Sequence, residues 1–395
     1  KTQTKLKKST NMFLVLLLLV TTINLTPTTS FLTPITTISD NKALNYAVES
    51  RIYPEEPHSM YVTLRGGGLT KISVINATAP VVLGHYDEIG RCEGQDRVGN
   101  LLVIATLGDT PQSGLVFLNV SEWPPTQISR INLTLPGALH VKLYSPTLPP
   151  LGAGGSNKMY AIVTTGLTHQ TTRNSVVSVD VTDLSHPFEV SSVPTQCKCT
   201  ESVIVINEAV FIGSYCSNTV QMVKIAFNGT LTTTNFQSET YYENMVSAVW
   251  NSSYQLLQPT ATLSSSSSLL FSASYSDPGG LVIFNTSTTE NGTLVPAEVG
   301  KLISNETARA NRVHLHPFGI AFLALEKSHG GNPRGGLAAI DITNPNTPTL
   351  IEAVKTPSND SRTYCVASTT EADGEHGVVY AFGATSNEMY VYQFA

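Results

Sequence analysis

A unit of about twenty residues recurs three times in this chain of 395 residues and constrains its fold more than any other feature. It reads GGLAAIDITNPNTPTLIEAV at 335–354, NSVVSVDVTDLSHPFEVSSV at 174–193 and GGLTKISVINATAPVVLGHY at 67–86. The first part of each copy alternates from one face to the other, as expected for a β-strand. Asn, Asp and Pro follow, and these residues end strands and form turns. Each copy therefore predicts two antiparallel strands joined by a tight turn.

The same arrangement extends along the chain. Seven apolar runs, at 60–64, 101–106, 159–164, 209–214, 269–274, 320–325 and 378–383, each precede a further strand. These following strands begin 44 to 61 residues apart, a spacing typical of β-propeller blades. An inner-strand candidate precedes each run, at 43–50, 92–98, 139–145, 199–206, 245–250, 311–316 and 362–368. We predict an all-β fold, a seven-bladed β-propeller with four-stranded blades, forming one domain over 31–395.

The ends of the chain predict how the ring closes. The last blade ends at Ala395 after its third strand, whereas the β-rich segment Phe31–Ser39 has no blade of its own. We expect this N-terminal strand to complete the last blade, which leaves no gap between the first blade and the last.

The three copies of the unit resemble the LVIVD repeat, whose blades read as an apolar strand, then Asp-Val-Ser/Thr-Asp/Asn, a Pro and a second apolar strand. The segment 115–131 matches this pattern in part, and blades four, five and seven have drifted from it. The resemblance implies a cell-surface or secreted propeller and supplies no catalytic motif.

The first 30 residues are expected to be a signal peptide. Lys5, Lys7 and Lys8 precede the apolar run Met12–Val20, and small residues lead to a cleavage site near Ser30. The apolar run is shorter than the roughly 20 residues that span a bilayer, so we expect no transmembrane segment. Nine Asn-x-Ser/Thr sequons after residue 30 predict glycosylation of a secreted, extracellular protein: Asn76, Asn119, Asn132, Asn228, Asn251, Asn285, Asn291, Asn305 and Asn359.

The net charge of −6 argues against nucleic-acid binding, because such proteins normally present a basic face. We expect a monomer whose partner is a small molecule or an extracellular protein.

The predicted site is one mouth of the central channel. With strands labelled A to D from channel to rim, A→B and C→D loops share one face, here called lower. B→C and D→A loops share the other, called upper. Ligand sites of propellers usually lie at the upper mouth, an analogy from the fold. The ligand-binding residues expected there are Arg91, Glu93, His140, Lys198, Asn311, Arg312 and Arg362.

The candidate catalytic residues at this mouth are His140, His169, Arg312, His329 and Glu93. Such a cluster could bind an anion or a divalent metal ion, or perform acid–base chemistry. The simpler interpretation is that the inner strands are polar because the channel holds water. His314 and His316 share a strand face and could ligate a metal together with His140.

Five cysteines in a secreted chain predict disulfides and one unpaired thiol. Cys199–Cys216 is the preferred pair and Cys197–Cys216 the alternative. Cys92 and Cys365 lie on inner strands separated by one blade, a span that one disulfide bridges only near the narrow end of the channel.

Two functions follow from these patterns. The first is a secreted, glycosylated propeller that acts as an extracellular binding or surface interaction protein. The alternative is an enzyme, a lactonase-like hydrolase or a metal-dependent oxidoreductase, with its site at the channel mouth.

Overall fold

The computed structural model describes residues 30–108, 113–146, 158–166, 174–195, 200–206, 208–214, 221–237, 245–251, 268–275, 277–288, 294–326, 335–356, 362–371, 374, 376–384 and 386–395. The compact unit that they build spans Leu32–Ala395. Within these residues the regular secondary structure consists of 28 β-strands in seven four-stranded sheets. None of them forms a helix long and apolar enough to cross a bilayer.

Each sheet is one blade, and consecutive strands pair antiparallel from the channel to the rim. Blade 1 comprises β2 (Ala47–Ile52), β3 (Ser59–Leu64), β4 (Leu69–Ser73) and β5 (Val81–Tyr86). Blade 2 comprises β6 (Cys92–Val98), β7 (Leu101–Thr106), β8 (Gly114–Asn119) and β9 (Thr126–Asn132). Blade 3 comprises β10 (Ala138–Tyr144), β11 (Tyr160–Thr165), β12 (Ser175–Asp180) and β13 (Phe188–Pro194).

The remaining blades follow the same order. Blade 4 comprises β14 (Thr200–Ile206), β15 (Ala209–Ser214), β16 (Gln221–Ile225) and β17 (Leu231–Gln237). Blade 5 comprises β18 (Met245–Asn251), β19 (Ser268–Ser274), β20 (Gly279–Thr288) and β21 (Leu294–Ser304). Blade 6 comprises β22 (Ala310–His316), β23 (Ile320–Leu325), β24 (Gly336–Asp341) and β25 (Thr349–Val354). Blade 7 comprises β26 (Thr363–Thr370), β27 (Gly377–Gly383), β28 (Glu388–Phe394) and β1 (Thr33–Ser39).

Blade 7 confirms the predicted closure. The N-terminal strand β1 is its outer strand and pairs antiparallel with β28, from Thr33 opposite Gln393 to Ser39 opposite Glu388. Next to this strand, the Leu32 backbone N–H donates to Oε2 of Glu352 at 2.7 Å. The inner strand of blade 7 also contacts those of blades 6 and 1, so the ring is continuous.

The core lies between the blades because each sheet buries both faces of its second and third strands. The seven apolar runs of the sequence are the second strands, and those of blades 1, 2, 3 and 6 are buried along their whole length. Between blades 7 and 1, for example, Met60 and Val62 pack against Tyr380 and Phe382. Burying one such side chain contributes about 1.5–3 kcal/mol, so the inter-blade contacts supply most of the stability.

Every blade contains two β-bulges at equivalent places. One interrupts the pairing of the outer two strands, and the other lies near the start of the inner strand. The inner bulges fall between Ala47/Glu49, Cys92/Gln95, Ala138/His140, Thr200/Ser202, Met245/Ser247, Ala310/Arg312 and Thr363/Cys365. A bulge adds an unpaired residue and redirects the side chains near it. The inner bulges therefore determine which side chains reach the channel.

Candidate functional site

The inner bulges assign one equivalent position to every blade. We call these residues the bulge ring: Glu49, Gly94, His140, Ser202, Ser247, Arg312 and Cys365. The ring contains two of the candidate residues, His140 and Arg312. It also contains a buried carboxylate, Glu49, which the sequence analysis did not select.

Two members of the bulge ring meet across the channel. Nη2 of Arg312 in blade 6 lies 3.2 Å from Nε2 of His140 in blade 3, and both residues are buried. A guanidinium can only donate hydrogen bonds, so Nε2 accepts and the imidazole proton belongs on Nδ1. Nη1 of Arg312 donates to the carbonyl and side-chain oxygens of Asn311 at 3.1 and 3.0 Å. This cross-channel bridge obstructs the channel from within the bulge ring.

The carboxylate of the ring, Glu49, is also held by hydrogen bonds. Oε1 of Glu49 accepts from Nε and Nη2 of Arg51 at 2.7 and 2.6 Å, and Oε2 accepts from the Gln95 backbone N–H at 2.8 Å. Burial alone would raise the pKa of Glu49, but the nearby positive charges of Arg51 and Arg312 lower it to about 2. Glu49 is therefore ionised at neutral pH and links blade 1 to blade 2.

His140 is neutral under the same conditions. Burial lowers the pKa of its imidazole to about 3. The negative charge of Glu49 opposes this shift, and the positive charges of Arg312, Arg51 and Lys142 add to it. Since its Nε2 lone pair already accepts from Arg312, His140 has no free base at this level of the channel.

Above the ring, two ion pairs join neighbouring blades at the upper mouth. Arg65 follows the second strand of blade 1 and binds both carboxylate oxygens of Glu93 in blade 2, at 2.5 and 2.9 Å. Glu326 occupies the equivalent position of blade 6, and its Oε1 lies 3.5 Å from Nη1 of Arg362 at the start of blade 7. The two contacts have the same topology with the charges exchanged. We call them the mouth clamps.

Two tyrosines surround the first clamp. The guanidinium of Arg65 lies over the rings of Tyr46 and Tyr364, 5.2 and 5.5 Å from their centroids. Arg312 also lies over Tyr364, at 5.9 Å, so this ring connects the clamp with the cross-channel bridge. Both tyrosines remain partly exposed and form the described wall of the mouth.

Arg91 lies beside this mouth, on the same upper face. Its exposed side chain lines two surface depressions together with His85 and Arg130, which belong to the outer strands of blades 1 and 2. The mouth therefore groups Glu93, Asn311, Arg312 and Arg362, while Arg91 occupies a separate place on the upper face. Lys198, His169 and His329 lie outside the described residues.

The candidate metal ligands occupy different surroundings. The His316 imidazole packs edge-on against Phe318 and Phe394, with ring centroids 4.5 and 4.9 Å apart, and its Nε2 lies 3.3 Å from Oγ1 of Thr370. Burial lowers the pKa of His316 to about 4. Burial and the charge of Arg51 likewise lower the pKa of His314. No three His, Cys, Asp or Glu side chains converge as metal ligands in the described part of the chain.

The preferred disulfide, Cys199–Cys216, and its alternative partner Cys197 lie outside the described residues. Cys92 and Cys365 are buried free thiols. Burial raises the pKa of each to about 12, so neither is a reactive thiolate.

The sequons fall into two groups by exposure. Five are exposed: Asn76, Asn119, Asn132, Asn228 and Asn305. Asn285 is partly buried on β20, between two paired strands. The side chain of Asn251 and the residues Asn291 and Asn359 lie outside the described part.

The sequence reasoning did not select Glu49, Arg65, Tyr46 or Tyr364 as site residues. Glu49 and Tyr364 lie in the predicted inner strands, so the inner-strand pattern was the sequence signal for these two residues. The sequence feature that indicated Arg65 was its position directly after the second strand and before three glycines.

The LVIVD repeat model matches this chain twice, at residues 171–195 and 332–356. The described parts of these matches include the outer strand pairs of blades 3 and 6. The chain therefore carries two LVIVD repeats within a seven-bladed β-propeller. No curated protein sequence is significantly similar to it.

Many solved structures share the fold of this propeller at very low sequence identity. The β-propeller domain of Cps50 (Swd1) from Myceliophteria thermophila is 9% identical with a TM-score of 0.60, covering 91% of this chain and 99% of that one. The WD40 propeller domain of Doa1 is 9% identical with a TM-score of 0.55, covering 91% and 96%. A putative 6-phosphogluconolactonase from Bacteroides fragilis is 11% identical with a TM-score of 0.54, covering 80% and 85%. At these identities the likeness establishes the fold alone.

Proposed function

We propose that this protein is a secreted, glycosylated propeller that binds an extracellular partner at the upper mouth of its channel. The cross-channel bridge between Arg312 and His140 carries this proposal, because it turns the mouth into a rigid surface with an obstructed floor. The mouth presents Tyr46, Tyr364 and Arg362, residue types that dominate the energetics of protein binding surfaces.

The alternative, an enzyme with its site in the channel, has less support from this geometry. A general base needs a free lone pair at the mouth, but His140 accepts from Arg312 and Glu93 is bound through both oxygens by Arg65. These groups contribute to the scaffold rather than to proton transfer.

Secretion and glycosylation are tested directly on the expressed chain. With its own N-terminus, the protein should accumulate in the medium of eukaryotic cells and begin near Phe31. Treatment with an amidase that removes N-linked glycans should lower its mass. Retention inside the cell, or a mass unchanged by the enzyme, would contradict this part of the proposal.

The mouth is tested with the double variant Tyr46→Asn, Arg362→Gln. Asn suits position 46 because its backbone has a φ of 56°, a left-handed conformation that Asn tolerates. Phe188→Asn, Lys355→Gln is the matched control, since both side chains are exposed on blades 3 and 6. We expect proteins bound from conditioned medium by the immobilised wild type and the control to fall about tenfold or more in the mouth variant. Equal recovery by the mouth variant would contradict the proposal.

A further inference from the structure

The two depressions beside Arg91 form a continuous polar groove on the upper face of blades 1 and 2. The larger holds about 380 Å³ and is lined by residues that include Lys42, Asn45 and His85. The smaller holds about 210 Å³ and includes Arg130. Both share Gly90 and Arg91. Since His85 and Arg130 belong to outer strands, this groove lies nearer the rim than the mouth clamps do.

The floor of the groove is bare backbone held in place. The Gly68 N–H donates to the Gly90 carbonyl at 2.7 Å, which ties the B→C loop of blade 1 to the connection into blade 2. Gly68 has a φ of 97°, and a Cβ there would lie 2.5 Å from the Tyr86 carbonyl oxygen. A glycine is therefore required at this approach, and the loop is preorganised without a bound ligand.

The ion pairs of the groove leave one guanidinium unused. Lys42 pairs with Asp87 at 2.8 Å. Arg130 donates from Nη2 to the Ile89 carbonyl at 3.2 Å, which holds its guanidinium at the smaller depression. Among the described residues, the Arg91 side chain has no partner. The smaller depression thus brings together two arginines beside Glu88, whose Oε2 accepts from the Tyr86 hydroxyl at 3.1 Å. Arginine is the side chain best suited to bind a carboxylate or sulfate through two hydrogen bonds.

His85 presents a hydrogen-bond acceptor to the larger depression. Oγ1 of Thr70 donates its single hydrogen to the Ala43 carbonyl at 2.6 Å, so its 3.1 Å contact with Nδ1 of His85 requires Nδ1–H to donate. The lone pair therefore lies on Nε2, and burial lowers the pKa of this imidazole, which keeps it neutral. Together with the carboxylate of Asp87 and the amide of Asn45, this nitrogen provides the mixed donors and acceptors that hydroxyl groups need.

We propose that this groove binds an acidic oligosaccharide, with a carboxylate or sulfate between Arg91 and Arg130 and sugar hydroxyls against His85, Asp87 and Asn45. The groove borders the mouth at Asn45 and Gly66, but its anion-binding residues Arg91 and Arg130 belong to neither mouth clamp. Its test with oligosaccharides therefore distinguishes it from the proposed binding of a partner at the mouth.

The experiment is isothermal titration calorimetry of the whole protein with three probes: trigalacturonate, a sulfated heparin-derived tetrasaccharide and neutral maltotriose. At about 150 mM salt, where long-range attraction is screened, we expect one or both acidic probes to bind and maltotriose not to bind. A response to the uronate, the sulfated probe or both identifies the source of the anionic group. No binding of either acidic probe, or equal binding of maltotriose, would overturn the proposal.

Arg91→Gln should weaken acidic binding about tenfold or more, because it removes a charge-assisted pair. Arg91→Lys should give an intermediate loss, since it keeps the charge but not the two-pronged geometry. Lys355→Gln makes the same charge change at another exposed position and should stay within about twofold. If Arg91→Gln and Lys355→Gln behave alike, the attraction is non-specific and the site does not exist. Arg91 is exposed, so the urea midpoint of its variants should match the wild type and exclude misfolding.

Discussion

The outer strand pairs of blades 3 and 6 are alike, whereas the inner strands of the same two blades differ at the position that matters most. In the outer pairs, Asp180 and Asp341 end equivalent strands, and each Oδ1 accepts the backbone N–H two residues on, at 2.9 and 2.8 Å. Asp183 and Asn344 repeat this contact one turn later, at 2.9 and 3.1 Å. In the inner strands, the equivalent bulge-ring residues are His140 and Arg312.

This difference shows that the outer strand pairs and the inner strands of the blades have different roles. The repeated Asp and Asn residues close the same turn wherever they occur, because their side chains bind their own backbone. The unrepeated inner residues meet across the ring, where a histidine opposite an arginine forms a hydrogen bond that two identical residues could not form as well. The residues that recur in each blade stabilise the scaffold, and the residues that differ between blades form the candidate site.

The largest expected effect comes from a substitution in an inner strand. Glu49→Gln removes the carboxylate that Arg51 and the Gln95 N–H share, and it leaves buried positive charge without compensation. We expect a loss of about 3–5 kcal/mol in the free energy of unfolding, measured by urea titration. Glu306→Gln, at an exposed position, should change it by less than about 0.5 kcal/mol. A loss as small as that of this control would mean that the ring contributes little.

The second prediction concerns pH and again separates inner from outer residues. His140 and His316 titrate at about 3 and 4 in the folded protein, and near 6.5 in an unfolded chain. The unfolded state therefore takes up protons first, so stability is complete above about pH 6.5 and falls as the pH falls. At pH 5 we expect a loss of about 2 kcal/mol for each of the two histidines.

Urea titrations of the wild type at pH 7.5 and pH 5 measure this loss. His140→Gln should remove about 2 kcal/mol of it, whereas substitution of the exposed His186 should leave it unchanged. The same pH dependence in the wild type and in His140→Gln would show that His140 is not buried in its neutral form.

The smallest expected effect lies in the outer pairs. Asp183→Ala and Asn344→Ala each remove the side-chain hydrogen bond to the backbone N–H of an exposed turn, so each should lower the free energy of unfolding by about 0.5–1 kcal/mol. Asp183→Ala also removes contacts with the Ser185 hydroxyl and the His186 imidazole, which contribute little because they are exposed. Equal losses, measured by urea titration, would sharpen the conclusion that the repeat has one structural role. A loss at one blade only would refute it.

The sequence predicted the blades because their signals are local. The buried second strands are continuous apolar runs and the turns carry Asn, Asp and Pro, so blade number, strand order and the closing role of Thr33–Ser39 could be deduced. The β-bulges could not be deduced from the sequence, because a bulge is a backbone irregularity that requires no particular residue. Without the positions of the bulges, the sequence does not show that Glu49, His140 and Arg312 occupy equivalent places in their blades. Arg91 was expected at the mouth from its place before an inner strand, and its side chain lines two depressions of the upper face together with outer-strand residues.

A double-mutant cycle of His140→Ala and Arg312→Ala tests most directly whether these residues interact across the channel. Urea titrations of the wild type, the two single variants and the double variant give the coupling free energy. The 3.2 Å contact between buried groups predicts a stabilising coupling of about 1–2 kcal/mol. A coupling within about 0.3 kcal/mol of zero would mean that the two residues act independently, and the account of an obstructed channel beneath a binding mouth would be wrong.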